Sequence, residues 1–386
     1  MIQLLLPSPM PSYFTRERFG GPQFVAGFLL LIFLAQCLWF AARVPLRERE
    51  MIVIDQGMRQ WKTGEVSPEA QVSPLTGLLG SLMLLRHHGE GDDLPGYWRW
   101  LVRAPFILMG AALGASLWYV ARRLFGNRGG YLALALFAFS PVDVIRSSTV
   151  QPGAGAAWGS FGLIFTSIAV AHTLYAPREV VLWNWRRILL LGVALGVALA
   201  SQFSLIVLLP AAIGFMLYLA PERKGAALAI VATSCIIGFL LLLASYGFHA
   251  GALGQALRNS QPFRFQGQML GMKITVNLLG AFFSQAPAVA LLLLIALVTF
   301  VVWRRTRYFG VTAPLLIFLL LLGMGFLLPH QGGFVFYPLA LPFAYVFVAG
   351  ILADVLESTY AGPALGVVLG VCLGHAIFSL SGLLRL

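Results

Sequence analysis

The sequence predicts an all-α polytopic membrane protein that crosses a bilayer about eleven times. Of its 386 residues, 59% are hydrophobic and only 10% are charged, and the mean hydropathy is +0.85. A soluble domain carries about 25% charged residues, so this composition cannot cover a water-facing surface. Two further observations support the same fold class: the apolar residues form long runs, and the basic and acidic residues are segregated between loops.

A spanning helix needs about 20 mostly apolar residues, and the chain contains about eleven candidate runs of this kind. Two of them, 129–142 and 188–200, are short for a full span and are expected to be tilted, broken or extended by polar neighbours. We expect one transmembrane domain over residues 1–386. The full set of runs is 24–42, 104–120, 129–142, 156–175, 188–200, 203–220, 226–246, 281–303, 310–328, 334–353 and 362–380.

The basic residues predict the orientation of the helices. Lys and Arg favour cytoplasmic loops, so a net charge of +12 needs no nucleic-acid partner. With a cytoplasmic N-terminus, half of the 26 Lys and Arg residues lie in cytoplasmic segments. The short outside segments then hold few Lys and Arg residues. We therefore expect the N-terminus inside the cell and residues 43–103 outside it, as the first extracytoplasmic loop.

This first outside loop has an unusual composition. It contains more than half of the 14 acidic residues of the chain. The pattern over 51–61 predicts a short interfacial helix, and the uncharged apolar segment 73–85 predicts a second interfacial or re-entrant helix. The apolar runs hold almost no ionisable groups, whereas an ion-coupled transporter would place acids there. Any chemistry is therefore expected in the loop, and a lipid or solute transporter is the weaker interpretation.

Two carboxylates follow the first apolar run directly, at Glu48 and Glu50. Such a pair can bind a divalent cation, or one member can act as a general base. Arg49 between them can keep a carboxylate ionised or contact a phosphate. The residue types alone also fit a solvated charge cluster. Asp55 is a third candidate carboxylate.

An ordered set of short motifs accompanies these carboxylates. It resembles the GT-C superfamily of membrane glycosyltransferases, especially the bacterial relatives of protein O-mannosyltransferases and aminoarabinose transferases. The resemblance covers residues 24–175 well, and later only Pro329-His330 and Tyr337-Pro338 match. The early motifs are Glu48-x-Glu50, Trp61-Lys62-Thr63-Gly64, Ser73-Pro74-Leu75, Arg103-Ala104-Pro105, Ala121-Arg122-Arg123-Leu124-Phe125-Gly126 and Phe139-Ser140-Pro141.

The resemblance implies a GT-C-like bundle with interfacial helices in the first outside loop. It implies transfer of a sugar from a polyprenyl-phosphate carrier to an acceptor at the outer face of the bacterial inner membrane. By position, Glu50 corresponds to the second member of the family's acidic pair and would take the proton of the acceptor. Glu48 is the other member, and Asp55 is the reserve candidate. The implied partners are the lipid-linked sugar and membrane lipids.

Candidate ligands for the donor phosphate lie later in the chain. Arg258, Arg264 and Lys273 occur in the outside segment 247–273, which has no acidic residue. Three cations suit a phosphate or pyrophosphate group, and they equally suit the head groups of anionic lipids. The resemblance adds His330, because family relatives often place a polar or basic residue there against the donor phosphate.

The sequence also departs from the family pattern. The family's pair usually includes an Asp, whereas this chain has Glu-x-Glu. The polar group often present after the third helix and the lysine between the fifth and sixth helices are replaced by 149–153 and Ser201-Gln202. The alternative interpretation is therefore a non-catalytic GT-C-like subunit that scaffolds a complex with protein partners. The glutamates are compatible with a divalent metal ion, but no other spacing indicates metal ligands.

Overall fold

The computed structural model describes residues 20–64, 66, 73–86, 98–175, 185–260, 272–273, 276–277, 280, 286–327, 333–358 and 361–384. These residues contain helices and connecting turns and no strand, which confirms the all-α prediction. The helices are α1 Gly21–Arg43, α2 Glu48–Thr63, α3 Pro74–Ser81, α4 Trp98–Ala138, α5 Pro141–Ser147, α6 Gly153–Thr173, α7 Trp185–Ser201, α8 Leu208–Leu219, α9 Lys224–Ser245, α10 Ala250–Ser260, α11 Pro287–Val302, α12 Phe309–Leu327, α13 Gly333–Leu356 and α14 Ala361–Leu384.

The described residues of every apolar run found in the sequence lie in helices or in the turns that flank them. Of the described helices, 7 are long and apolar enough to cross a membrane by length and composition. Shorter apolar segments cover 74–85, 203–219 and 287–302. The exact number of eleven crossings is not confirmed by this measure. The chain is nevertheless a multi-pass membrane protein, as its composition predicts.

The segment α4 consists of two helices that meet at Gly126, and it contains two of the predicted spans. At Gly126 the backbone leaves the helical region, with φ 74° and ψ −173°, a conformation that glycine adopts without a Cβ clash. A Cβ added to Gly114 would lie 2.8 Å from the ring of Phe137. In an uninterrupted helix, residues that far apart would be separated by roughly 35 Å. The chain therefore reverses at Gly126, and the two halves of α4 pack side by side.

Helix α13 forms the centre of the bundle. It packs against α4, α6, α11, α12 and α14, and almost all of its side chains from 336 to 353 are buried. On one flank α7 and α9 run in parallel, and Gly196 and Gly238 bring their backbones together. Small residues allow this close approach between membrane helices.

Hydrogen bonds between distant segments define two ends of the bundle. At the first, called the α2 end, Gln60 Nε2 donates to Ser245 O at 2.7 Å, and Ser73 Oγ donates to Ala200 O. At the opposite end, Arg128 Nη1 donates to Leu356 O at 3.0 Å. The predicted outside segments among the described residues lie at the α2 end. The predicted basic cytoplasmic turns lie at the other, and which end faces the cytoplasm stays a prediction.

Candidate functional site

The predicted interfacial helix of the first loop is α2, Glu48–Thr63, and it is amphipathic. Its buried side carries Glu50, Val53, Ile54 and Gly57. The spacing of three and four residues places these four on one helical face. The helix ends at Gly64, whose φ of 73° is the left-handed conformation common after a helix C-terminus.

A neighbouring short helix holds α2 in place. Helix α3, Pro74–Ser81, approaches so closely that a Cβ added to Gly57 would lie 2.0 Å from Gly77 O. Only glycine permits this contact, because any larger residue would need the two backbones to separate. Trp61 Nε1 also donates to Leu78 O at 3.2 Å. The second predicted interfacial segment is therefore a helix, and it forms the support on which α2 lies.

The centre of the α2 end is a buried ion pair between Glu50 and Arg103. Arg103 Nε donates to Glu50 Oε1 at 3.1 Å, and Nη2 donates to Oε2 at 2.8 Å. The guanidinium group also donates to Ala41 O at 3.2 Å, Val44 O at 2.8 Å and Pro45 O at 3.1 Å. Arg103 is 0% exposed, and all of its N–H groups have acceptors. It joins the end of α1 to α2 and to the start of α4.

Both oxygens of Glu50 are fully occupied. Besides Arg103, Oε2 accepts from the Arg47 N–H at 3.0 Å, and Oε1 accepts from the Val150 N–H at 2.8 Å. Burial alone would raise the pKa of this carboxyl. The hydrogen bonds from Arg103, Arg47 and Val150 outweigh burial, so the pKa lies below its ordinary value. Such a carboxylate stays ionised and is a poor acceptor for a further proton.

The other two candidate carboxylates have the opposite environment. Glu48 and Asp55 are both exposed on α2, and they lie seven residues apart. Two helical turns separate them by about 10 Å along the axis, on the same face. Arg49 is also exposed. Helix α2 therefore presents Glu48 and Asp55 away from the bundle while Glu50 points into it.

The predicted phosphate ligands are less fully placed. Arg258 is exposed near the end of α10, which follows α9 at the α2 end. Lys273 is also exposed. Arg264 and His330 lie outside the described residues. Within the described ranges, the ion pairs join Glu50 to Arg103 and Asp143 to Arg146, so no predicted phosphate ligand is paired with a carboxylate of α2.

No metal site is apparent in the part of the chain that the structure describes. There, no three His, Cys, Asp or Glu side chains come close enough to hold one ion together. Glu50 has no oxygen free to bind a metal ion, because both accept hydrogen bonds. Glu48 and Asp55 are about two helical turns apart. The described residues thus supply no ready ligand set for the suggested divalent ion.

Two features of the α2 end were not expected from the sequence. The sequence placed Arg103 in the motif Arg103-Ala104-Pro105 and did not predict its contact with Glu50. The two residues are 53 positions apart in the sequence. Asp143 and Arg146 form a buried pair that Tyr345 completes. A signal for the second pair was present, because two opposite charges three residues apart beside an apolar run are expected to pair.

Comparison with known proteins agrees with this architecture. Residues 93–247, from the approach to α4 to the end of α9, match the family model of dolichyl-phosphate-mannose-protein mannosyltransferases. The oligosaccharyltransferase of Archaeoglobus fulgidus, solved with Zn and sulfate, superposes with a TM-score of 0.60 over 92% of this chain at 15% identity. This chain has the GT-C fold. That assignment confirms the fold class inferred from the motif order.

Other GT-C structures superpose on this GT-C chain in the same way. ArnT from Cupriavidus metallidurans, bound to undecaprenyl phosphate, gives a TM-score of 0.56 at 15% identity over 94% of this chain. The Archaeoglobus fulgidus enzyme AglB, with an inhibitory peptide and a dolichol-phosphate, gives 0.55 at 12% identity over 96%. The chain spans 52% of the first oligosaccharyltransferase structure and 64% of this ArnT structure. Comparison with curated protein sequences gave no match.

Proposed function

We propose that this GT-C chain transfers a sugar from a polyprenyl-phosphate carrier to an acceptor hydroxyl at the outer face of the bacterial inner membrane. The family model that matches 93–247 is that of dolichyl-phosphate-mannose-protein mannosyltransferases. ArnT was solved with undecaprenyl phosphate and AglB with a dolichol-phosphate. The lipid phosphates in these two structures support a lipid-phosphate donor for this chain, which shares their fold.

The observation that carries the proposal is the fixed carboxylate face of α2. Glu50 and Arg103 bury a charged pair that fastens the first turns of α2 to α1 and α4. Because α2 cannot rotate without breaking this pair, Glu48 and Asp55 are held on the exposed side. Preorganised catalytic groups of this kind avoid the cost of orienting them during the reaction.

The proposed mechanism uses one exposed carboxylate as general base. Glu48 or Asp55 takes the proton of the acceptor hydroxyl as its oxygen attacks the anomeric carbon. The bond between that carbon and the phosphate oxygen breaks, and the polyprenyl phosphate leaves with the bonding electron pair. Arg258 and Lys273 are proposed to stabilise the phosphate, together with Arg264 and His330 from outside the described residues. A general base contributes typically 10²–10⁴ in rate.

Glu50 receives a different role from the one its position in the acidic pair implies. Its catalytic role stays an untested prediction. Four hydrogen bonds and 4% exposure support a positioning function instead, because the carboxylate has no oxygen free for an acceptor. We propose that Glu50 orients α2 and that its exposed neighbours perform the proton transfer.

The test is a transfer assay in nanodiscs with a radiolabelled polyprenyl-phosphate sugar and membrane acceptors. We expect the double variant Glu48→Gln with Asp55→Asn to lose at least about a hundredfold in rate, while the single variants identify the base. Glu222→Gln is the matched control, because Glu222 is exposed in the turn 221–223 at the opposite end of the bundle. A double variant that keeps the rate of the control would refute the proposed base.

The alternative proposal is a GT-C-like subunit without catalytic activity. The hydrogen bonds of Glu50 support this alternative. The carboxylate at the position of the family's acidic pair is held by four donors and has no oxygen free for an acceptor. In that case the wild-type protein transfers no sugar and co-purifies with partner proteins at a fixed ratio. Measured transfer by purified wild-type protein would exclude it.

A further inference from the structure

A second buried charged group lies between α5 and α13, apart from the Glu50–Arg103 pair. Asp143 is 0% exposed, Arg146 is 4% exposed and Tyr345 is 0% exposed. Arg146 Nη2 pairs with Asp143 Oδ1, and Tyr345 Oη donates to Asp143 Oδ2 at 2.7 Å. Buried ionisable groups in a membrane protein are costly and usually serve a function. The mechanism proposed above uses none of these three.

The prolines of α13 explain the position of Arg146. Pro342 has no N–H, so the carbonyl of Pro338, four residues earlier, lacks its normal helical donor. Arg146 Nη1 donates to Pro338 O at 2.6 Å. An unpaired carbonyl inside a membrane bundle is unfavourable, and the arginine of a separate helix removes that cost. The attachment of α5 to α13 is therefore specified by the sequence of both helices.

Helix α5 contacts α13 at two points. Arg146 binds at Pro338, and Asp143 binds at Tyr345, seven residues later in α13. The backbone positions of Pro338 and Tyr345 lie two turns apart on α13, about 10 Å along its axis. Contacts with two residues of α13 constrain its direction relative to α5 more than a single contact would.

The same short helix leads directly to α2. Val150 follows α5 closely, and its N–H donates to Glu50 Oε1 at 2.8 Å. The side of α5 that faces α4 has no spare space, because a Cβ added to Gly110 would lie 2.2 Å from Ser147 Oγ. A displacement of α5 must therefore move Val150 and disturb the carboxylate that orients α2.

We propose that Asp143, Arg146 and Tyr345 are positioning residues that couple the N-terminal half of α13 to α2. This inference rests on the proposed function for its catalytic consequence, since the aligned helix α2 carries the proposed base. The three residues do not touch the substrate. They act through Val150 and Glu50, and they set the distance between α13 and the exposed carboxylates of α2.

Hydrogen exchange of the backbone amides tests the coupling without an assay of sugar transfer. In Tyr345→Phe the ring remains and only the donor to Asp143 is lost. We expect the amides of α2 to exchange about tenfold faster or more, as loss of one hydrogen bond to a charged group produces, with the amides of α7 and α9 unchanged. Tyr218→Phe is the control, because Tyr218 is 72% exposed on α8. Unchanged exchange in α2, or an equal rise throughout the bundle, would overturn the proposal.

Arg146→Lys provides a second variant that keeps the charge beside Asp143. One ammonium group cannot reproduce the planar fork that binds Asp143 and the Pro338 carbonyl together, so exchange in α2 should again rise. In the transfer assay, both variants should lower kcat by at least about tenfold and leave the KM for donor within about twofold, because a small misplacement of a catalytic group reduces the rate of the chemical step.

Hydrogen exchange and the transfer assay together distinguish a failure of the proposed function from a failure of the proposed coupling. If wild-type protein transfers no sugar but Tyr345→Phe still accelerates exchange in α2, the proposed function fails and the coupling stands. If wild-type protein transfers sugar and both variants keep wild-type exchange and kcat, the coupling is wrong and the proposed function stands.

Discussion

Replacing Glu50 with Gln changes one buried carboxylate into an amide of nearly the same shape. The oxygen of the new amide can still accept from Arg103 Nε and the Val150 N–H. The amide nitrogen is a donor, and it faces two further donors, Arg103 Nη2 and the Arg47 N–H. Two of four hydrogen bonds are therefore lost, and Arg103 keeps a buried charge without its counter-ion.

The structure sets the size of this effect. Each hydrogen bond to a charged group contributes about 1.5–3 kcal/mol, and breaking a buried ion pair by removing one partner costs about 3–5 kcal/mol. Glu50→Gln should therefore lower the free energy of unfolding by about 3–5 kcal/mol. Glu48→Gln should change it by less than about 0.5 kcal/mol, because Glu48 is exposed and no described residue forms an ion pair with it.

A double-mutant cycle measures the interaction itself. The free energy of unfolding would be determined by reversible denaturant titration in mixed micelles for wild type, Glu50→Gln, Arg103→Gln and the double variant. Two glutamines can pair with each other, so the double variant should be more stable than the sum of the single effects by about 1–3 kcal/mol. Additive effects, or a Glu50→Gln protein as stable as Glu48→Gln, would refute the structural role assigned to Glu50.

Three further predictions concern the pKa of Glu50, the contact between α2 and α3, and the topology of the chain. The pKa of Glu50 in the folded protein lies below its ordinary 4.5. Its contribution to stability is therefore present above pH 4.5 and is lost as the pH falls through the folded pKa. An acid titration of the free energy of unfolding should show this loss in wild type and not in Glu50→Gln. Gly57→Ala should destabilise the protein by about 1–3 kcal/mol by overpacking against Gly77, whereas Gly27→Ala, which meets open space, should not, and equal melting temperatures would contradict the close contact of α2 and α3. In a background without native cysteines, Thr63→Cys should react with an impermeant reagent in intact cells and Asn127→Cys should not; the reverse pattern would invert the topology.

Hydropathy was sufficient to locate the helices, because a span in lipid must satisfy its backbone internally and therefore appears as a continuous apolar run. The amphipathic helix α2 was also predictable from local pattern. The helical phase of α2 also predicts which of its carboxylates is buried. Glu50 lies three and four residues before Val53 and Ile54, so it shares their buried face, while Glu48 and Asp55 lie on the opposite one.

The partners of the buried charges were not predictable in the same way. Glu50 and Arg103 are 53 residues apart, and Asp143 and Tyr345 are 202 residues apart. Such contacts depend on how the helices are arranged around α13, which hydropathy does not encode. The two spans that the sequence separates, 104–120 and 129–142, are by contrast the two halves of α4 that meet at Gly126.

The most direct test of the central claim is a structure of the protein in nanodiscs with added undecaprenyl phosphate. The account predicts phosphate density at the α2 end of the bundle, beside the face of α2 that carries Glu48 and Asp55, with Glu50 still paired with Arg103. Phosphate density at the opposite end, near Arg122–Arg128, or a Glu50 carboxylate turned from Arg103 towards the lipid, would contradict it.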